Sequence, residues 1–277
     1  MKKERMVSMK VHQIRVDFQV TEQISRFVYV YILESEYLYL IDTGVYGSEK
    51  QILKYLSAIG REASQIRGIF LTHAHPDHIG TAAWFQEHTR CKIYASEGEK
   101  PWIEDINLQF RERPIPNFYQ LAGKSSRVDR VVRDGEEISL EEGLSIKVIR
   151  TAGHSCDEVS YLAEGNLFIG DSVPVKGDIP IFIGEQEMRN TLSLLEKLEG
   201  VHTYYPAWDE TYSRERMKVK LCEGRELIDQ LKAAVLSLDD GADLGVLVER
   251  VCESLQMPML KANPLFSRTV ECLREEG

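Results

Sequence analysis

Thr72-His73-Ala74-His75-Pro76-Asp77-His78-Ile79-Gly80 is the stretch on which the reading of this 277-residue chain turns. Residues 66–71, just before it, form an apolar run of the kind found in a buried strand. From Asp77 to about Glu87 the pattern suits a helix, with Pro76 near its first turn, where a missing N–H costs nothing. The polar cluster therefore sits at a strand-to-helix junction. On extended backbone, side chains two residues apart point the same way, so His73 and His75 can offer both rings to one ion. Asp77 and His78 follow within one turn, where a carboxylate and an imidazole can serve a second ion roughly 3.5–4 Å from the first. The competing reading is a chance cluster on a solvated loop. With only seven histidines in the chain, an H-x-H-x-D-H run is hard to obtain by chance.

On the N-terminal side, residues 11–18, 27–33 and 37–42 read as opening antiparallel strands, the last ending at Thr43-Gly44. Ile52, Leu53, Leu56 and Ile59 give residues 48–59 helical spacing, with Gly60 as the stop. Downstream, residues 91–95 read as a strand, and residues 97–127 as an insertion with some helix near the site, interrupted by Pro114 and Pro116. Strands are expected at 127–132, 137–140, 144–150, 159–163 and 167–169, then a helix at 186–198 and a strand at 203–205. This outlines two β-sheets packed together with helices outside. The tail is helical, with amphipathic stretches at 214–238, 242–255 and 264–275, the last opened by Asn263-Pro264. It is either a cap on the site or an oligomerisation element.

Two more polar groups sit at strand ends: Thr151-Ala152-Gly153-His154-Ser155 and Ile169-Gly170-Asp171-Ser172. Alone, each would be read as a satisfied polar residue. Beside the first cluster they supply the three or four donors that an ion requires. His12 and His88 have no partner at ligand spacing, His202 precedes its strand, and Trp84 and Trp102 read as packing. Cys156 lies two residues from His154 and reads as a buried, inert thiol rather than a redox centre.

Leu40-Ile41-Asp42-Thr43-Gly44, the HAHPDH run, the GHS and the GDS are ordered and spaced like the metallo-β-lactamase superfamily, a resemblance covering roughly residues 11–210. It implies an α/β fold, a four-layer αββα sandwich of two mixed sheets with the metals at one edge. The pattern along the chain gives the expected division, a domain at 1–212, with the 97–127 insertion, and a C-terminal helical extension at 213–277. The resemblance further implies His73, His75 and His154 on a first ion, Asp77 and His78 on a second, Asp171 bridging both, and Asp42 steadying the ligand loop. The sequence departs from the family at Pro206-Ala207-Trp208-Asp209, where a late histidine ordinarily closes the second site. An indole cannot ligate zinc, so either Asp209 supplies an oxygen instead or the second site is depleted.

Composition narrows the function. A formal net charge of −10 repels phosphate backbones, which argues against nucleic acid. No apolar run long enough to cross a membrane occurs, and Met1-Lys2-Lys3 has no apolar segment behind it, so a cytoplasmic location is expected. Five scattered cysteines without C-x-x-C spacing argue against a disulfide framework and a cysteine zinc knuckle. A metal held by neutral imidazoles and a carboxylate lowers the pKa of its water towards about 7, giving hydroxide at neutral pH. The expected activity is therefore hydrolysis of a small thioester, ester or lactone, with one or two transition-metal ions, zinc first and iron or manganese as alternatives. If the second site is empty, Asp77 is free to orient the water or move its proton. The same negative field suits a neutral or cationic small molecule as the expected partner, with a homo-oligomer formed through the C-terminal helices as a further expectation. Two other readings stand beside it: a mononuclear iron dioxygenase resembling the persulfide dioxygenases of the same superfamily, and a non-catalytic metal-binding protein. A diiron flavoprotein-type site fits less well, because His75 stands where that branch places a glutamate.

Overall fold

The computed structural model describes residues 9–22 and 24–276, so the Met1-Lys2-Lys3 start lies outside the described residues. The chain begins with an antiparallel hairpin of β1 (Lys10–Thr21) and β2 (Ile24–Glu34). Near its start β1 buries alternate residues, as an edge strand with one face on a core does. β3 (Leu38–Ile41) and β4 (Ile66–Phe70) are apolar almost throughout and buried on both faces, the signature of interior parallel strands. With β5 (Lys92–Ser96) and β6 (Arg130–Val132) they complete a six-stranded sheet in the order β1-β2-β3-β4-β5-β6.

The second sheet contains β7 (Glu137–Glu141), β8 (Leu144–Arg150), β9 (Val159–Ala163), β10 (Asn166–Gly170), β11 (Thr203–Pro206) and β12 (Tyr212–Ser213), again in sequential order. All its pairings are antiparallel except β10 with β11, so this sheet too is mixed. Tyr31, Phe70, Tyr161 and Phe168 belong to the buried cluster shared by the two sheets. Against the outer face of the first sheet lie α1 (Glu49–Ala58), α2 (Pro76–Ile79), α3 (Ala82–Thr89) and the short helices α4 (Lys100–Glu104), α5 (Ile106–Glu112) and α6 (Phe118–Ala122). Against the second lie α7 (Glu185–Lys197), α8 (Arg214–Leu238), α9 (Leu244–Ser254) and α10 (Pro264–Glu275). The result is the expected four-layer αββα sandwich with a helical C-terminal region. Among the described residues no helix is long and apolar enough to cross a membrane.

The single helix expected from Asp77 to Glu87 is instead two, α2 and α3, parted at Gly80-Thr81. The cause is packing: a Cβ on Gly80 would lie 2.3 Å from backbone atoms of Val45 and Tyr46, and the Gly80 N–H donates to Gly44 O at 2.8 Å. Only a residue without a side chain lets these two backbones meet. The tail is no detached appendage. Leu221, Ile228, Val248 and Phe266 are buried in one cluster with Leu192 of α7 and Leu167 and Ile169 of β10.

Candidate metal centre

Topology alone collects the polar groups. β3 and β4 run parallel, so Asp42 and His73 leave the same edge of the first sheet. β8 and β10 are both antiparallel to β9 and therefore parallel to each other, and β11 is parallel to β10. His154, Asp171 and Trp208 thus leave one edge of the second sheet. The two edges meet where the Val159 N–H donates to Thr72 O at 3.0 Å and the Tyr29 N–H to Ala207 O at 2.8 Å.

At that meeting point His73 Nε2 and His154 Nε2 each lie 2.9 Å from His75 Nδ1. Asp171 Oδ2 is 3.3 Å from His154 Nε2, 3.5 Å from His78 Nε2 and 4.0 Å from His73 Nε2. Two donor sets follow, each with its ligand atoms within 4.8 Å of one another: His73, His75 and His154, and His73, His78 and Asp171. Asp77 flanks the second, its Oδ2 3.4 Å from His78 Nε2.

Hydrogen bonds aim these rings. Asp42 accepts the Thr72 N–H at 2.8 Å, the Thr72 hydroxyl at 2.8 Å and His78 Nδ1–H at 2.8 Å. With its proton committed to Asp42, the Thr72 oxygen accepts from His73 Nδ1 at 3.0 Å. His154 Nδ1–H donates to Ile181 O at 2.9 Å. For His73 and His154 the proton sits on Nδ1, leaving the Nε2 lone pair facing the cluster. Asp42 adopts φ of +57°, an uncommon conformation for a residue other than glycine, and holds it through these three bonds.

Protonation follows from burial and charge. Burial, reinforced by neighbouring cationic groups, pushes His73, His75 and His154 below the ordinary histidine range, although Asp171 opposes this at His154. They are poised as neutral imidazoles, the state a metal requires. Burial acts the same way on His78, but Asp171, Asp77 and Asp42 outweigh it and hold that ring above its usual value. Burial would raise Asp77, yet His78 dominates and keeps its carboxyl below the normal range. His78 Nε2 and Asp171 Oδ1 are buried without a hydrogen-bond partner, a costly arrangement that a cation relieves. Neutral nitrogens, carboxylate oxygens and an orphaned carboxylate acceptor together fit a transition-metal ion.

Several contributors carry no sequence signal. Glu99, in the insertion, accepts the Ala74 N–H at 2.9 Å, the Asp157 N–H at 3.0 Å and the Ser155 hydroxyl, tying the HAH loop to the GHS loop. Gln109 of α5 donates to Ala74 O at 2.6 Å. Glu158 accepts the Asp171 N–H at 2.8 Å; burial, then Asp171, pushes its own carboxyl well up. All three match the family's motifs nowhere and are found only by their contacts.

The late loop corrects one expectation. Asp209 does not join the cluster: its carboxylate accepts from Lys220 Nζ at 2.8 Å and from the Tyr212 hydroxyl, facing α8 instead. Trp208 takes the inward position, its indole N–H donating to Asp171 Oδ2 at 2.9 Å. The indole is held from behind by the Arg26 guanidinium, 4.3 Å above its ring, and Arg26 in turn pairs with Asp178 at 2.7 and 2.9 Å. Cys156 is also a correction. It is exposed rather than buried, although local burial and Glu99 push its thiol up to about 12, which leaves it inert.

The cluster forms one wall of a cavity of about 330 Å³, lined also by Phe18 and Ile24 of the first hairpin, Ile115, Val173, Ile179 and Met259. The wall thus draws on the hairpin, the insertion, the 173–181 loop and the tail. His75, Asp77, His154, Asp171 and Trp208 face it.

The chain is similar to known proteins in sequence and in fold. A hydroxyacylglutathione hydrolase from Thiobacillus denitrificans is 31% identical over 124 residues, 44% of this chain and 39% of that protein, so the match spans well under half of that relative's length. A probable metallo-hydrolase from Bacillus subtilis is 26% identical over 222 residues, 76% of this chain and 81% of that one. In fold, the chain is similar to a metallo-beta-lactamase family protein from Thermus thermophilus, with a TM-score of 0.72 at 19% identity, covering 96% of this chain and 94% of that chain. The family model for the metallo-beta-lactamase superfamily matches residues 24–212, more than half of the sequence, and the chain belongs to that superfamily.

Proposed function

We propose that this chain is a metal-dependent hydrolase of a small thioester, ester or lactone. The observation that carries the reading is the convergence of three buried imidazoles, His73, His75 and His154, beside Asp171 on the wall of a largely apolar cavity. The names of the relatives, a thioester hydrolase among them, support the class of bond. A transition-metal ion bound by this set supplies Lewis-acid polarisation and acidifies water. The chain's own groups do the rest. Asp77, kept ionised by His78 and facing the cavity, accepts the proton of the attacking water and returns it to the leaving group. Phe18, Ile115 and Ile179 exclude bulk water, which strengthens every polar interaction at the cluster.

Trp208 bears on how many ions are held. Its N–H occupies Asp171 Oδ2, the oxygen nearest His78 and His154, and it brings no lone pair of its own. This favours a single filled site, and so keeps a mononuclear iron oxygenase as the second reading.

The test is metal counting on purified protein with a panel of thioesters, esters and lactones. One zinc per chain with chelator-sensitive hydrolysis, both lowered by more than about 100-fold in His154→Ala, supports the hydrolase. One iron with dioxygen consumption on a persulfide and no hydrolysis would move the assignment to the oxygenase. Trp208→His is expected to raise metal content towards two.

A further inference from the structure

Arg113 is a charged group of the cavity that metal-centred chemistry leaves unused. It follows the last residue of α5, the helix whose Gln109 clamps the ligand loop, and its own N–H donates to Gln109 O at 2.7 Å. The residue is 5% exposed and lines the cavity together with His75, Asp77 and His154. Its Nη1 is buried without a hydrogen-bond acceptor, and among the described residues no carboxylate stands within ion-pair distance of it. Leaving a guanidinium dry and unpaired is expensive. Arg26, the other guanidinium of this cavity, is already committed to Asp178. Burial pulls the Arg113 pKa down to about 10, against the pull of Asp77, so it stays a cation at neutral pH.

We propose that Arg113 is a specificity-determining residue that binds a carboxylate on the substrate, with an apolar chain filling the remainder of the cavity. A single planar fork matches a carboxylate bidentately, whereas a phosphate or sulfate would need donors on further faces, and no second free cationic side chain lines the cavity among the described residues. The apolar walls, Phe18, Ile115, Val173 and Ile179 among them, suit a hydrocarbon chain. The ligand is thus a carboxylate-bearing aliphatic acyl compound. The bond broken in it rests on the hydrolase reading; the charge recognised does not.

The experiment uses metal-loaded protein and two matched pairs of probes. Octanoate and octanamide, nearly the same shape but with a charged and a neutral head group, are titrated against the fluorescence of Trp208 and its companions. Wild type is expected to prefer octanoate by at least about tenfold, and Arg113→Met to lose that preference while keeping its metal content and its octanamide affinity. Equal binding of the two by wild type overturns the proposal. So does a preference that survives in Arg113→Met, because the carboxylate would then sit on the metal. Arg113→Lys, which keeps the charge without the fork, is expected to fall between and serves if the methionine variant does not fold. The second pair is the S-phenyl thioester of octanoic acid and the mono-S-phenyl thioester of suberic acid, the same chain with a free carboxylate at its far end. A KM at least about tenfold lower for the suberyl compound, equalised in Arg113→Met, supports a substrate carboxylate. No preference there, with Arg113-dependent octanoate binding, means that the residue holds a product carboxylate and overturns the substrate claim. Turnover of neither thioester counts against the hydrolase reading and leaves the binding result to decide the carboxylate.

Discussion

Asp209 and Trp208 show how one step along the chain decides chemistry. Both are within reach of the cluster by sequence distance, but β11 runs straight into the site and turns the indole inward, which sends the next side chain out towards α8. Asp209 is consequently a structural anion that pairs with the buried Lys220. Asp209→Ala is expected to leave metal content unchanged and to destabilise the fold by about 1–3 kcal/mol, because Lys220 loses its partner. Metal analysis beside urea denaturation checks both halves; loss of an ion with stability intact would restore Asp209 as a ligand. Trp208 was legible only as the absence of a histidine. That its N–H would engage Asp171 depends on a contact between loops 37 residues apart.

At the level of elements, α2 is a single turn whose task is placement. His75 is extended, Pro76 starts the turn, and the turn carries Asp77 and His78 to the cluster before Gly80 ends it against the 44–46 loop. Helical periodicity could not reveal that break, because Ala82, Ala83 and Phe85 continue an apolar pattern that looks uninterrupted. Gly80→Ala would drive a methyl group into the backbone of Val45 and Tyr46 and push α2 away from the histidine cluster. We expect a loss of about 3 kcal/mol together with weakened metal binding. Unchanged stability by chemical denaturation would show that the loop simply moves aside. The insertion follows the same logic: its helices α4 to α6 are short and irregular in pattern, yet Glu99 and Gln109 within and beside them brace the HAH loop.

For the molecule as a whole, gathering these polar groups at one edge works against the stability of the metal-free fold. Burying four histidines and several carboxylates at one sheet edge costs folding free energy unless a cation compensates. In metal-stripped protein, His73, His75 and His154 have lowered pKa values, so the unfolded chain takes up protons that the folded one refuses. Their contribution is complete above about pH 6.5 and is lost as pH falls below it. His78 has the opposite sign: its contribution is present below about pH 6.5 and fades as pH rises through its raised value, so it adds no slope at lower pH. Glu158, raised by burial, opposes the three with one proton. Three against one leaves a net loss of up to about 3 kcal/mol per pH unit below pH 6.5. The urea midpoint of metal-free protein is therefore expected to drop between pH 6.5 and 5.5; a flat or rising midpoint would sink this account.

Residue order was enough to reveal the strand-to-helix junction at residues 72–80, the GHS and GDS groups at later strand ends, and the succession of strands and helices that builds two mixed sheets. These are local signals: periodicity, spacing and residue type are written along the chain, and the order of elements largely dictates which strand ends share an edge. It took the folded chain to settle that Trp208 and not Asp209 faces Asp171, that Gly80 splits a helix, that Glu99 bridges two ligand loops, and that Arg113 stands unpaired in the cavity. Each of these depends on atoms that meet across dozens of residues, where direction and packing, rather than residue type, choose the partner.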